Sequence, residues 1–185
     1  MSRRSPAPPA ARRPSTTRAA LLDDGADRRF RLFVQDLFAV SAQVNALREN
    51  FAVIAGITGP QYSILASVAH LSATGSGLSV GRLASYLHIS GTYVTAESKK
   101  LEQRGFLARA PDPDDRRVVL LRLTPEGEAL MDDLLPAVVT VNDEFFRDLG
   151  RKEFGVLCDA ISNMVRAGED ALVAVQPFVR KRRPK

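Results

Sequence analysis

Asp115, Arg116 and Arg117 stand together in a run, Ala110–Arg117, that is otherwise rich in proline and aspartate. A guanidinium two residues from a carboxylate can be held in a fixed direction by a charge-assisted pair, and an arginine so aimed suits the narrow, anionic minor groove of A·T-rich DNA. Upstream, Ser90, Thr92, Tyr93, Thr95, Lys99 and Lys100 crowd into eleven residues. Hydroxyls at this density can serve base edges or phosphates, while lysines are suited to the phosphate backbone. Arg109 and Arg116 fit further phosphate contacts. The chemistry on offer is recognition of a polyanion, not bond making.

These side chains need two positioning elements, and the flanking sequence supplies both. Ser79 can cap a short helix bearing Val80, Leu83, Ala84 and Leu87; His88-Ile89-Ser90-Gly91 forms a turn; Ser90 or Thr92 then caps a second helix that turns Val94 and Leu101 inward and ends at Gly105. Two short helices with a tight turn, the second one polar, read as a helix-turn-helix. Beyond Gly105, Phe106–Arg109 and Val118–Leu123 read as strands. The prolines and aspartates between them force a turn and are expected to deny continued pairing, giving a hairpin wing.

Support comes from both sides. Phe30, Phe33, Val34, Leu37, Phe38, Val44, Leu47 and Phe51 recur at helical spacing from Asp27 onward. Thr58-Gly59-Pro60-Gln61 caps the next helix, which carries Ile64, Leu65, Val68 and Leu71 on one face before a loop from Ser72. Thr124-Pro125 repeats the device and launches a long helix through Leu130, Leu134, Val138 and Phe145, with a kink expected at Pro136. Gly150 breaks it, and a last helix with Phe154, Leu157, Ile161, Met164 and Leu172 is expected to end near Val175.

The formal charge of +5 on 185 residues is misleading until it is divided. Residues 1–20 and 176–185 hold ten bases and no acid, so the remaining sixteen bases face 21 acids and the body carries −5. Basic surface on the body is therefore local: Ser90–Arg122 holds seven bases against five acids, whereas Leu123–Val175 holds four against eleven. Both tails are basic, and the N-terminal one reads as disordered. No run of eighteen apolar residues and no apolar segment behind the N-terminal arginines is present, so neither a membrane span nor a secretory signal is expected, and the cytoplasm is the expected compartment. The single cysteine, Cys158, excludes an internal disulfide and is expected to be a buried structural thiol. With no Gly-rich phosphate loop and only His70 and His88 as imidazoles, no enzyme, metal or cofactor chemistry is expected.

Thr58-x-x-Gln61-Tyr62-x-x-Leu65, Leu83-Ala84 before the turn, Leu101-Glu102-x-x-Gly105, and Asp115-Arg116-Arg117 followed by Leu123-Thr124-x-x-Gly127 together resemble the MarR (multiple antibiotic resistance regulator) family over about residues 30–175. The resemblance implies a mainly α fold with a small β wing: a winged helix-turn-helix lobe plus a helical dimerisation layer. It divides the chain into a basic arm (1–26), a dimerisation helix (27–56), the DNA-binding lobe (57–124), dimerisation helices (125–175) and a basic tail (176–185). The implied function is that of a sequence-specific transcription regulator, a repressor released by a small molecule. Its partners would be double-stranded DNA with a pseudo-palindromic operator, a second copy of the chain, and a small anionic or aromatic effector, with no membrane involved. Ser90, Thr92, Tyr93, Thr95, Lys99, Lys100, Arg109, Asp115, Arg116 and Arg117 would then face DNA. Phe38, Asn45, Arg48 and His70 are the effector-pocket candidates. Two positions depart from the family pattern. Ala96 stands where an arginine is common, removing a strong guanine contact. Glu97 replaces a usual apolar residue and is expected to pair with Lys99 or Lys100 on the surface. Two alternatives remain beside this reading: a nucleoid-type protein binding through its tails, and a regulator that senses oxidants through Cys158.

Overall fold

The computed structural model describes residues 13–72 and 77–182. Helix α1 (Arg28–Ile54) is followed by α2 (Gly59–Leu71), a short strand β1 (Leu78–Ser79), α3 (Val80–Leu87), α4 (Gly91–Gln103), strands β2 (Leu107–Pro111) and β3 (Val119–Leu123), then α5 (Pro125–Phe145) and α6 (Arg151–Arg182). The protein is mainly helical, with a three-stranded antiparallel sheet in the order β1-β3-β2. Two compact units divide the chain, at residues 1–135 and 136–185.

The first unit is built on a core of Ile64, Leu65, Val68, Leu78, Leu83, Val94, Leu101, Leu107 and Leu121, with Leu130 and Met131 of α5 packed against it. Each side chain is delivered by the local period of its element: Ile64, Leu65 and Val68 on one face of α2, Val94 and Leu101 seven residues apart on α4, Leu121 on the inward face of β3. The helix starts follow the expected chemistry. Thr58 and Gln61 form a reciprocal capping box at α2, and the hydroxyls of Ser79 and Ser90 accept the backbone N–H groups of Arg82 and Tyr93, each at 3.2 Å. Ser90, not Thr92, is thus the cap of α4. His88 closes α3 in the left-handed region (φ 53°), where glycine is the usual occupant, and so makes the turn into α4.

Several expectations need correction. The wing strands pair further than the prolines implied, with Ala110 opposite Leu120 and Pro111 opposite Val119. β2 is an edge strand, where a proline's missing N–H costs no ladder bond. β1, only two residues long, gave no periodicity to read, yet it pairs Leu78 with Leu121. The segment expected as a disordered arm is tied down over its described part. Asp27 accepts both the backbone N–H and the hydroxyl of Ser15 at 2.6 Å, and Arg31 bridges from Asp27 to the carbonyl of Arg13 at 3.1 Å. Residues 1–12 lie outside the described residues.

In the second unit, α5 ends at Phe145 and a turn reaches Gly150. α6 runs through Pro177 to Arg182, seven residues past the expected end at Val175, so the described part of the basic tail is helical. Proline within a helix removes one bond, and the flanking turns carry the helix across it. No residue of α6 is buried, and Cys158 is exposed, contrary to the expected buried thiol. Its neighbours Phe154, Leu157 and Ile161 form an apolar stripe that nothing in this unit covers. Among the described residues, no single helix is long and apolar enough to cross a membrane.

Candidate nucleic-acid interface

α4 has two chemically different faces. Val94, Glu97, Ser98 and Leu101 are buried, while Thr92, Tyr93, Ala96, Lys99 and Lys100 are exposed and Thr95 is half-buried. The inner residues recur every three or four positions, which leaves the hydroxyl-bearing and basic residues on the solvent side. Ser90 is exposed as well, its hydroxyl oxygen occupied by the Tyr93 N–H.

On the wing, the Arg117 guanidinium donates from Nε and Nη2 to the two carboxylate oxygens of Asp115, each at 3.0 Å, and the Arg117 backbone N–H adds a third bond at 3.1 Å. This bidentate pair holds the Asp115 carboxyl below its ordinary range and raises the arginine further. The Arg117 side chain is 91% exposed and yet directed. Surface ion pairs contribute little to stability, so the effect of this one is orientation. Arg116 beside it is exposed.

Two residues are placed differently from expectation. Arg109 does not reach outward for phosphate: its side chain is only 11% exposed, pairs with Glu102 at 3.5 Å and donates to the Ser98 hydroxyl. It ties β2 to α4. Glu97 is buried, not on the surface, because position 97 falls on the core side of α4. It does pair with Lys100, at 2.6 Å, but its other oxygen accepts from the Gln61 amide at 3.0 Å. Lys100 first, then Gln61, holds this carboxyl below its ordinary range against the opposing effect of burial. Neither the Gln61 bond nor the bond from Arg104 to the Gly56 carbonyl (2.9 Å) could be read from local sequence. A capping-box glutamine has a free amide group, and that was the only signal available.

The effector candidates separate. Asn45 and Arg48 of α1 line a cleft of about 410 Å³ together with Glu49, Gly59, Pro60, Ser63, Leu87, Ile89 and Tyr93. Phe38 (67% exposed) and His70 lie on open surface and do not line it. Tyr93 is the residue that sequence reasoning assigned only to DNA; it also forms part of this wall. Among the described residues no cluster of His, Cys, Asp and Glu could hold a metal ion.

Comparison with known proteins places this geometry. The MarR family model matches residues 57–119, from the loop before α2 into the start of β3. The chain is 32% identical over 97 residues to the uncharacterized HTH-type transcriptional regulator YdcH of Bacillus subtilis, covering 52% of this chain and 66%, just under two thirds, of that protein. It is 31% identical over 118 residues to the HTH-type transcriptional regulator FarR of Neisseria gonorrhoeae, covering 64% of this chain and 77% of that one. Among solved structures, CouR from Rhodococcus jostii RHA1 bound to p-coumaroyl-CoA aligns with a TM-score of 0.61 at 23% identity, over 69% of this chain and 87% of that one. A MarR mutant from E. coli complexed with operator DNA aligns with a TM-score of 0.59 at 20% identity, over 74% and 95%. These two likenesses establish the winged-helix fold.

Proposed function

The chain belongs to the MarR family of DNA-binding transcriptional regulators, and from that premise we propose that it acts as a homodimeric repressor released by a small anionic or aromatic effector. The observation that carries this reading is the double duty of Tyr93, which stands on the exposed face of α4 and in the wall of the Asn45–Arg48 cleft. A molecule in that cleft and a duplex on α4 compete for one side chain and one helix position, so an effector that favours a different pose of α4 lowers DNA affinity by its differential binding. Arg48 supplies a cation, while Pro60, Leu87 and Ile89 supply apolar walls, a lining that suits an aromatic carboxylate. The solved CouR complex, which holds p-coumaroyl-CoA, supports an aromatic acyl ligand in this fold class.

DNA would be read by Thr92, Tyr93 and Thr95 from α4, with Ser90, Lys99 and Arg116 on the backbone and Arg117 in the minor groove. Lys100 contributes less charge because Glu97 neutralises it. Arg109 moves from direct contact to positioning. Dimerisation is supported by apolar side chains left open on α1 (Phe33, Phe38, Val40, Val44) and on α6 (Phe154, Leu157, Ile161, Leu172). A two-fold dimer would set its recognition helices about 34 Å apart, in successive major grooves.

The test is a binding-site selection with the purified protein, followed by titration of the selected duplex with a panel of aromatic carboxylates. A palindrome whose affinity falls with one of these acids, and a response lost in Arg48→Ala, is the expected result. Recovery of no preferred sequence would rule out the regulator reading.

A further inference from the structure

Buried carboxylates are costly unless paired, and an apolar side chain at position 97 would pack against the same core without that cost. Glu97 nevertheless lies 7% exposed on the inner face of the recognition helix, with one oxygen on Lys100 and the other on Gln61. Gln61 is itself held. Its carbonyl oxygen accepts the Thr58 backbone N–H at 3.2 Å, which leaves the amide N–H groups aimed at Glu97. The bond therefore runs from the first turn of α2 into the middle of α4.

A second tie lies seven residues further along, two turns down the same side of α4. Arg104, the C-cap of α4, donates to the carbonyl of Gly56 at 2.9 Å, and its guanidinium lies over the Phe106 ring at 5.0 Å. Gly56 (φ 63°) belongs to the connection through which α1 turns by 91° into α2. The middle and the C-terminal end of the recognition helix are thus fastened to one elbow, at Gln61 and at Gly56. The inside of that elbow is the cleft: Asn45, Arg48 and Glu49 come from α1, and Gly59, Pro60 and Ser63 from α2. Opening or closing the angle between α1 and α2 displaces Gly56 and Gln61, and α4 with them.

We propose that Glu97 and Arg104 are positioning residues that clamp the recognition helix to the α1–α2 elbow, fixing its pose for base discrimination and transmitting occupancy of the cleft to it. The effector part of this inference rests on the function proposed above; the clamp itself does not. The pair explains why a charged residue occupies a core-facing position: a directional bond sets rotation about the helix axis, which apolar packing specifies less sharply. It also predicts a reversible substitution. Gln61→Glu sets two carboxylates against each other, while Gln61→Glu with Glu97→Gln restores one amide donor and one carboxylate acceptor with their positions exchanged. Glutamate suits the capping box as well as glutamine does, so the start of α2 is preserved in both variants.

The experiment uses the full chain and two readouts. Backbone amide exchange of residues 91–103, followed by mass spectrometry, requires no operator. It should accelerate in Gln61→Glu, return towards wild type in the exchanged pair, and accelerate at the C-terminal end of α4 in Arg104→Met. Where selection yields a preferred duplex, the ratio of its affinity to that for a scrambled duplex should fall about tenfold in Gln61→Glu and recover in the exchanged pair, the size expected when a bond to a charged group is removed. Thermal melting of each variant checks that it is folded; Arg104→Met alters an exposed residue and keeps the test available if Gln61→Glu fails to fold. Unchanged exchange in Arg104→Met together with no recovery in the exchanged pair would overturn the clamp. Failure of the selection alone would overturn the regulator reading and leave the exchange measurement to decide the clamp.

Discussion

At the scale of single residues, the wing arginine carries the sharpest expectation. Arg117→Ala should abolish most duplex binding in a gel shift at fixed salt and should leave the melting temperature unchanged, because the side chain is 91% exposed. Asp115→Ala should weaken binding less: the guanidinium survives but loses the bidentate hold that aims it. Unchanged affinity in Arg117→Ala would remove the wing from the mechanism. Besides Asp115, held low by Arg117 on the exposed wing, two carboxylates set the acid response. Asp27 is held well below the ordinary aspartate range by the Ser15 hydroxyl and N–H and then by Arg31, and Glu97 is held low by Lys100 and Gln61. Both bind protons more weakly folded than unfolded, so their stabilisation is complete above the unfolded values, about 4, and is lost as pH falls through the lower folded ones. Melting temperature should therefore drop below about pH 4, and Asp27→Asn should flatten that part of the profile.

At the scale of elements, the wing depends on one close approach. A Cβ on Gly127, in the first turn of α5, would lie 2.1 Å from the Phe106 carbonyl oxygen, a backbone atom with little room to move. Thr124 fixes the same junction, its hydroxyl donating to the Gly105 carbonyl and accepting the Gly127 N–H at 3.0 Å. Gly127→Ala should cost about 1–3 kcal/mol in chemical denaturation, the range for overpacking. Leu65→Ala, at a fully buried site in α2, should cost about 2–5 kcal/mol by the same measurement. Helix starts were legible because a cap is local chemistry: Thr58, Ser79 and Ser90 each bond to a backbone N–H three residues on. The far end of the wing hairpin was not, since Pro111 reads as a breaker until its place on an edge strand is known. The end of α6 was hidden in the same way by Pro177.

At the scale of the molecule, the charge division and the open apolar stripes lead to one expectation each. Sedimentation should find a dimer, and aspartates placed at Leu157 and Ile161 of α6 should shift it towards monomer; a wild-type monomer at micromolar concentration would contradict the proposed assembly. Removing residues 1–12 should lower affinity for every duplex alike and reduce the salt slope by about 0.9 for each phosphate that the arm neutralises, while leaving sequence preference intact. A protein that binds through its tails would instead lose binding altogether once residues 1–25 and 176–185 were both removed.

Sequence alone determined the order of the helices and the two wing strands, the caps, the polar face of α4 and the Asp115–Arg117 pair, because each rests on periodicity or on residues a few positions apart. Tertiary structure decided what the inner face of α4 holds. Glu97 meets Gln61 across 36 positions, Arg104 meets Gly56 across 48, and Arg109 meets Ser98 from another element. Whether a charged side chain is solvated or buried and fastened depends on which surface packs over it, and no local pattern contains that surface.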